Sequence, residues 1–139
     1  MKTDDNITSA VASVYEWIDS KAAGRTPCDA CGNCCDFKQY DHRLYVTSVE
    51  LQYLVTTLGP AAIKKMNDGI CPYNENNKCT IHKNRFAGCR IFSCQSDADF
   101  QSRLAEESLA KLKSIGYKYH WPYCYVDLAT GLNDLTEQP

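Results

Sequence analysis

The stretch CDACGNCC, residues 28 to 35, holds Cys28, Cys31, Cys34 and Cys35, four of the chain's nine cysteines. Cys71, Cys79, Cys89 and Cys94 follow at short intervals, and Cys124 stands apart. A thiolate is a strong, soft ligand, and four of them around one centre suit zinc, iron or an iron–sulfur cluster. The spacing Cys28-x-x-Cys31-Gly32 has the form of a metal knuckle. Two intervening residues let both sulfurs face one centre, and the glycine lets the chain turn its amides toward sulfur.

Cys34 extends the interval to C-x-x-C-x-x-C, which is similar to the opening of a cluster-binding loop in ferredoxins. The three-residue gap and Cys-Pro ending of that pattern are absent. Cys35 follows at once. Successive side chains of an extended segment project to opposite sides, so Cys34 and Cys35 most simply serve different centres. Eight cysteines then divide into two sets of four, with the vicinal pair feeding both sets from one loop and Cys71, Cys79, Cys89 and Cys94 supplying the remaining ligands. A thiolate shared between two close metals is the other arrangement, and spacing does not choose between them.

Four thiolates on one divalent ion leave a net negative charge, which needs nearby donors when buried. Arg85 and Arg90 are placed in sequence to supply them, alongside backbone amides; the alternative is that both are ordinary surface charges. A lone histidine is more often a surface or packed residue than a ligand, so His42, His82 and His120 are left out of the ligand set. Cys124, after an aromatic run, reads as buried and inert.

Two plainer readings compete. A disulfide frame fits a small secreted domain, but the cysteine count is odd and the first residues, MKTDDNITSAVASVYEWIDS, show no basic run followed by an apolar one. No apolar run approaches the roughly 20 residues that span a bilayer, so the expectation is a cytoplasmic chain with reduced thiols and no membrane contact. Unrelated buried cysteines acting as small hydrophobes would not cluster at such spacings.

With 139 residues, 44% hydrophobic and 23% charged, the chain fits one domain over residues 1 to 139 with a real core. Its net charge of -2 lacks the basic excess of a general nucleic-acid binder. Ile7, Ala10, Val11, Val14, Trp17 and Ile18 line one face of a helix from about Asp5 to Ala23, ending at Gly24. RLYVT, residues 43 to 47, suggests a short strand. Thr47 and Glu50 form a capping box for a second helix ending at Gly59-Pro60, and a shorter helix is expected from Pro60 to about Asn67. YNENNK, between Cys71 and Cys79, reads as a polar turn of a small hairpin. A third long helix runs from Asp97 or Asp99 to Ile115, with Phe100, Leu104, Leu109, Leu112 and Ile115 on its apolar side and Gly116 closing it. YKYHWPYCYVDL reads as an extended aromatic piece packed over the cysteine region rather than a nucleic-acid platform, and NDLTEQP as a loose tail. The expected fold is mainly α with irregular cysteine-rich loops, a small single-domain, metal-stabilised structure of about three helices around a metal-binding loop region.

CDACGNCC, then CPY, then CTIHKNRFAGCRIFSC resembles the CxxCxxCC domain, the YkgJ-like cysteine cluster proteins described as zinc- or iron-chelating. The resemblance covers residues 28 to 94 and carries the family's eight cysteines onto Cys28, Cys31, Cys34, Cys35, Cys71, Cys79, Cys89 and Cys94. Arg85, Arg90 and Phe92 also match the family's run. Phe86 departs from it, standing where an Arg-Pro dipeptide is usual, and His82 stands where Tyr is common. A related cysteine-rich domain in flagellin lysine N-methylases is associated with an iron–sulfur cluster, which raises an accessory role in methyltransferase-like chemistry. This chain shows no nucleotide-binding glycine motif to support that.

The expectation is a metal-binding protein whose eight thiolates hold iron, as an iron–sulfur cluster, or zinc. An iron–sulfur centre would give it a redox or electron-transfer role, whereas closed zinc sites would make it a structural interaction module. No carboxylate pair or nucleophile–base motif argues for catalysis. Loss of metal is expected to unfold much of residues 28 to 94.

Overall fold

The computed structural model describes residues 4–22, 44–66, 71–75, 78–91 and 98–137. Cys28, Cys31, Cys34, Cys35, His42 and Cys94 lie outside them.

Helix α1, Asp5–Ala22, starts where the Asp4 carboxylate accepts the N–H groups of Asn6 at 2.9 Å and Ile7 at 3.3 Å. It buries Ile7, Val11, Val14 and Ile18 as the periodicity predicts, and Tyr15 as well. Strand β1, Tyr45–Thr47, leads directly into helix α2, Ser48–Leu58. The capping box is present: Thr47 Oγ1 accepts the Glu50 N–H at 3.3 Å, and Glu50 Oε2 accepts the Thr47 N–H at 3.0 Å. Gly59, at φ 88°, ends α2 in a conformation that suits a residue without Cβ.

The expected helix over Pro60 to Asn67 is only a single 3-10 turn, Pro60–Ala62. Ile63 and Met66 leave it to enter the core, while the backbone N–H groups of Lys64 and Met66 bond to the Tyr73 hydroxyl and the Asn133 side-chain Oδ1. The polar turn after Cys71 is a hairpin, as expected: β2, Asn74–Glu75, pairs antiparallel with β3, Lys78–Cys79. A 3-10 turn, His82–Asn84, then precedes helix α3, Ala87–Ile91, which carries Cys89 and Arg90.

Helix α4, Ala98–Lys118, buries Gln101, Leu104, Ser108, Leu112 and Ile115 along one face. Gly116 does not stop it. The end lies beyond, where the His120 N–H bonds to the Tyr117 carbonyl at 3.4 Å and the Trp121 N–H to the Gly116 carbonyl at 2.9 Å. This is the Schellman pattern, with His120 at φ 57° in the left-handed position usually taken by glycine. Gly116 serves a different need: a Cβ there would sit 3.2 Å from the Trp121 carbonyl oxygen.

Strand β4, Tyr125–Asp127, pairs antiparallel with β1, and helix α5, Leu128–Glu137, follows. The stretch expected to be a loose tail is therefore mostly helix. Asp127 caps it, one carboxylate oxygen accepting the Thr130 N–H at 3.4 Å and the other the Thr130 hydroxyl at 2.6 Å, and Leu128 and Leu132 are buried. The fold is mainly α, with five α-helices rather than three and two two-stranded ribbons among the described residues.

Two apolar clusters result. One gathers α1, α3 and α4 through Ile7, Val11, Ile18, Ile91, Leu104 and Leu112. The other gathers α2, α5, β1 and the hairpin region through Val46, Leu54, Ile81, Phe86, Leu128 and Leu132. Helix α2 belongs to both, with Val49 in the first and Leu51, Leu54 and Val55 in the second. Among the described residues no helix is long and apolar enough to cross a membrane.

A left-handed conformation costs a side-chain-bearing residue about 1 kcal/mol, and glycine gives back part of that through the entropy of its unfolded chain. His120→Gly is expected to raise unfolding stability by about 0.5 kcal/mol, read from urea denaturation; a loss of stability would show that the imidazole contributes packing there.

Candidate metal centre

Three of the eight predicted ligands fall on the described stretch from Cys71 to Ile91. Cys71 is buried within the α2/α5 cluster beside Tyr73, Ile81 and Phe86. Its carbonyl accepts the Asn74 N–H at 2.9 Å, and Asn74 is the register partner of Cys79, so the hairpin returns the backbone of Cys79 beside the turn that follows Cys71. Cys89, on α3, is half-buried and packs against the same cluster. Cys71 and Cys89 both carry thiols.

Thiols are soft donors that suit zinc, iron or an iron–sulfur cluster, and Cys71 and Cys89 bring two of them to one apolar cluster. Among the described residues no three or more His, Cys, Asp or Glu side chains gather in a group that could hold a metal ion.

The two arginines have specific work in the local frame. Arg85 Nη1 donates to the Cys89 carbonyl at 3.1 Å. Arg90 is buried rather than a surface charge: Nε donates to the Arg85 carbonyl at 2.8 Å, Nη2 to the Lys83 carbonyl at 2.9 Å, and Nη1 to Asp19 of α1 at 2.8 Å. Its guanidinium also lies 4.2 Å from the centre of the Tyr15 ring, a cation–π contact with α1. Arg90 thus ties both the preceding loop and α1 to the short helix that bears Cys89.

Sequence reasoning found Glu50 as a cap but missed its wider reach. Glu50 Oε1 accepts the Ala87 N–H at 2.7 Å and the Tyr15 hydroxyl at 3.0 Å, while Oε2 also accepts the Thr47 hydroxyl at 3.1 Å. The carboxyl is buried, and burial pushes its pKa up against the hydrogen bonds that pull it down. Burial and the adjacent Glu50 charge push the Tyr15 phenol well above its ordinary range. Sequence spacing offered one hint to Tyr15, which lies four residues after Val11 on α1.

Cys124 is exposed, contrary to the expectation of burial. Its main chain forms the edge where the final segment crosses α2: the Cys124 carbonyl accepts the Ser48 N–H at 2.9 Å, and its own N–H reaches the Ser48 hydroxyl at 3.1 Å. That pairing fixes the backbone and leaves the thiol outside. His120 is exposed and acts through its backbone as a helix cap. Of the aromatic segment, Tyr119 and Trp121 pack on the α1/α4 cluster, while Tyr125 stacks on Tyr45 at 5.3 Å between ring centres. The open groove beside it is lined by Lys113, Tyr117, His120, Trp121 and Tyr123, among others, and a single lysine offers little charge for a nucleic-acid backbone.

A small helical protein with a cysteine-bearing hairpin and short helix braced against its core is the class this geometry defines. The chain belongs to the CxxCxxCC family, whose profile matches residues 27–113 and whose description reads "putative zinc- or iron-chelating domain". No curated protein and no solved structure matches the chain significantly.

Two measurements check the frame. Asp19 is half exposed, so its pair with Arg90 is screened, whereas the two carbonyls Arg90 reaches depend on its planar fork. Arg90→Lys is expected to cost about 2 kcal/mol or more in urea unfolding and Asp19→Asn under about 1 kcal/mol; equal costs would place the stabilisation in the ion pair. The raised Glu50 pKa also fixes a sign. The folded state holds that proton more tightly than the unfolded chain, so the carboxyl's contribution is full below the 4.5 of a free glutamate and declines as pH rises through the raised value. The stability of the wild type relative to Glu50→Gln is therefore expected to fall with rising pH over that window and then level off, measured by denaturant titration at stepped pH.

Proposed function

We propose that this chain is a metal-binding protein in which Cys28, Cys31, Cys34, Cys35, Cys71, Cys79, Cys89 and Cys94 are the ligands, within a metal-binding region of residues 28 to 94 in a single domain. The cargo is iron in an iron–sulfur cluster, and the role is redox or electron transfer in a reducing, cytoplasmic setting. The observation that carries the reading is the convergence of Cys71 and Cys89 on one apolar cluster, with the backbone of Cys79 returned by the hairpin, inside the stretch that matches a chelating family.

Closed zinc sites are the second reading, favoured by a family description that names zinc beside iron. Zinc has no redox chemistry of its own, so the domain would then be a structural interaction module. Arg85 and Arg90 support either centre indirectly, by fixing the backbone around Cys89.

Elemental analysis with an absorption spectrum, on protein purified without oxygen, separates the two. Iron with acid-labile sulfide and a broad visible band supports the cluster, and about two zinc ions per chain without colour supports closed zinc sites. Cys31→Ser is expected to lower the metal content and Cys124→Ser to leave it unchanged. Equal loss in both variants would sink the ligand assignment, and a metal-free wild type would sink the function.

A further inference from the structure

We infer that Glu50 is a positioning residue of the metal centre, holding the helix that presents Cys89 through the Ala87 N–H. The inference rests on the reading of Cys89 as a ligand.

Helix α3 is five residues long, too short to hold its own shape by backbone bonds alone. Its first N–H, from Ala87, is taken by Glu50 Oε1 at 2.7 Å. The capping of α2 needs only Oε2, which already accepts the Thr47 N–H and hydroxyl. The second oxygen is therefore available for work outside its own helix, and both of its partners are distant in sequence: Ala87 on α3 and the Tyr15 hydroxyl on α1.

On the other side of Cys89, Arg90 stacks on the ring of the same Tyr15 and holds the carbonyls of Lys83 and Arg85. Cys89 thus lies between two anchors, Ala87 bound to Glu50 and Arg90 bound to Tyr15, and those anchors meet at Tyr15. A cysteine whose backbone is held this way keeps its place when other ligands depart. A buried carboxylate is costly unless its lone pairs are filled, and here two backbone N–H groups and two hydroxyls fill them.

Glu50→Gln tests this, because an amide can present its oxygen to only one side of the junction and turns its NH2 toward an N–H donor on the other. Zinc, which thiolate sites accept, is the probe. The zinc-loaded chain is challenged with a chelating dye, and release is followed beside thermal unfolding. Thr47→Ala is the control: it removes the hydroxyl from the helix cap and leaves the Oε1 contacts in place.

Glu50→Gln is expected to release zinc about tenfold to a hundredfold faster than the wild type, the range seen when groups orienting metal ligands are removed. Thr47→Ala is expected to stay within about twofold once compared at equal distance from its unfolding temperature. Release that rises in both variants in proportion to lost stability would show that Glu50 is only structural and overturn the inference. Should Glu50→Gln fail to fold, exchange of the Ala87 amide in the wild type decides. Because coupling is reciprocal, zinc must slow that exchange, by about tenfold, relative to the metal-free chain; unchanged exchange overturns the inference. A wild type that takes up no zinc or iron overturns the ligand reading itself, and the inference with it, whereas a loaded wild type with an indifferent Glu50→Gln overturns the inference alone.

Discussion

A single buried carboxylate joins the parts of this structure. Glu50 sits in the first turn of α2 and accepts four hydrogen bonds, from Thr47 twice, from Tyr15 of α1 and from Ala87 of α3. Its own helix lies between the two apolar clusters, so the junction falls where they meet. Apolar contact is non-directional and would tolerate α3 sliding along α1. The Ala87 N–H aimed at one oxygen does not, because a hydrogen bond of 2.7 Å weakens steeply with misalignment. Directional bonds at the junction set the register that burial alone leaves loose.

Arg90 completes the same design from the opposite charge. Its planar fork reaches two carbonyls and a carboxylate, and its central carbon lies over the ring of Tyr15. Tyr15 is therefore used twice, hydroxyl to Glu50 and ring to Arg90. The two buried charges do not form a direct pair; they act through a shared aromatic and through backbone groups. This arrangement avoids the stiff cost of burying an isolated charge, since each has its own set of partners.

How much of this could be read from residues alone depends on range. The start of α1, the capping box at Thr47 and Glu50, the stop at Gly59-Pro60 and the hairpin after Cys71 are local events, and the residue types at those positions specify them. Glu50 was legible as a cap for the same reason. Its bonds to positions 35 and 37 residues away were not, because nothing in spacing reports a contact made only by the fold. The last helix shows tertiary context overriding propensity. Thr130, Gly131, Asn133 and Thr136 are weak helix formers, but Leu128, Leu132 and Leu135 recur on one face and pack on the α2 cluster. Gly131 also lets α5 come close to Leu51, where a Cβ would lie only 2.9 Å from that side chain. Gly116 misled for the opposite reason: its lack of a side chain serves the crossing of Trp121, and the left-handed cap falls to His120.

The described frame also changes the weight that metal has to carry in the fold. A wholesale unfolding of residues 28 to 94 on metal loss would require α2 to melt, yet α2 has its own cap and packs in both clusters. The stretch that bears Cys71, Cys79 and Cys89 is held too, by Tyr73, Ile81 and Phe86 in the core and by the Glu50 and Arg90 anchors. Minimal zinc domains lack such a base and depend on metal for their fold. Here the apolar clusters supply the base, so the backbone around Cys71, Cys79 and Cys89 is held by burial and hydrogen bonds of its own. Such preorganisation lowers the ordering cost of each added ligand, which favours tight retention of a centre over folding upon its arrival.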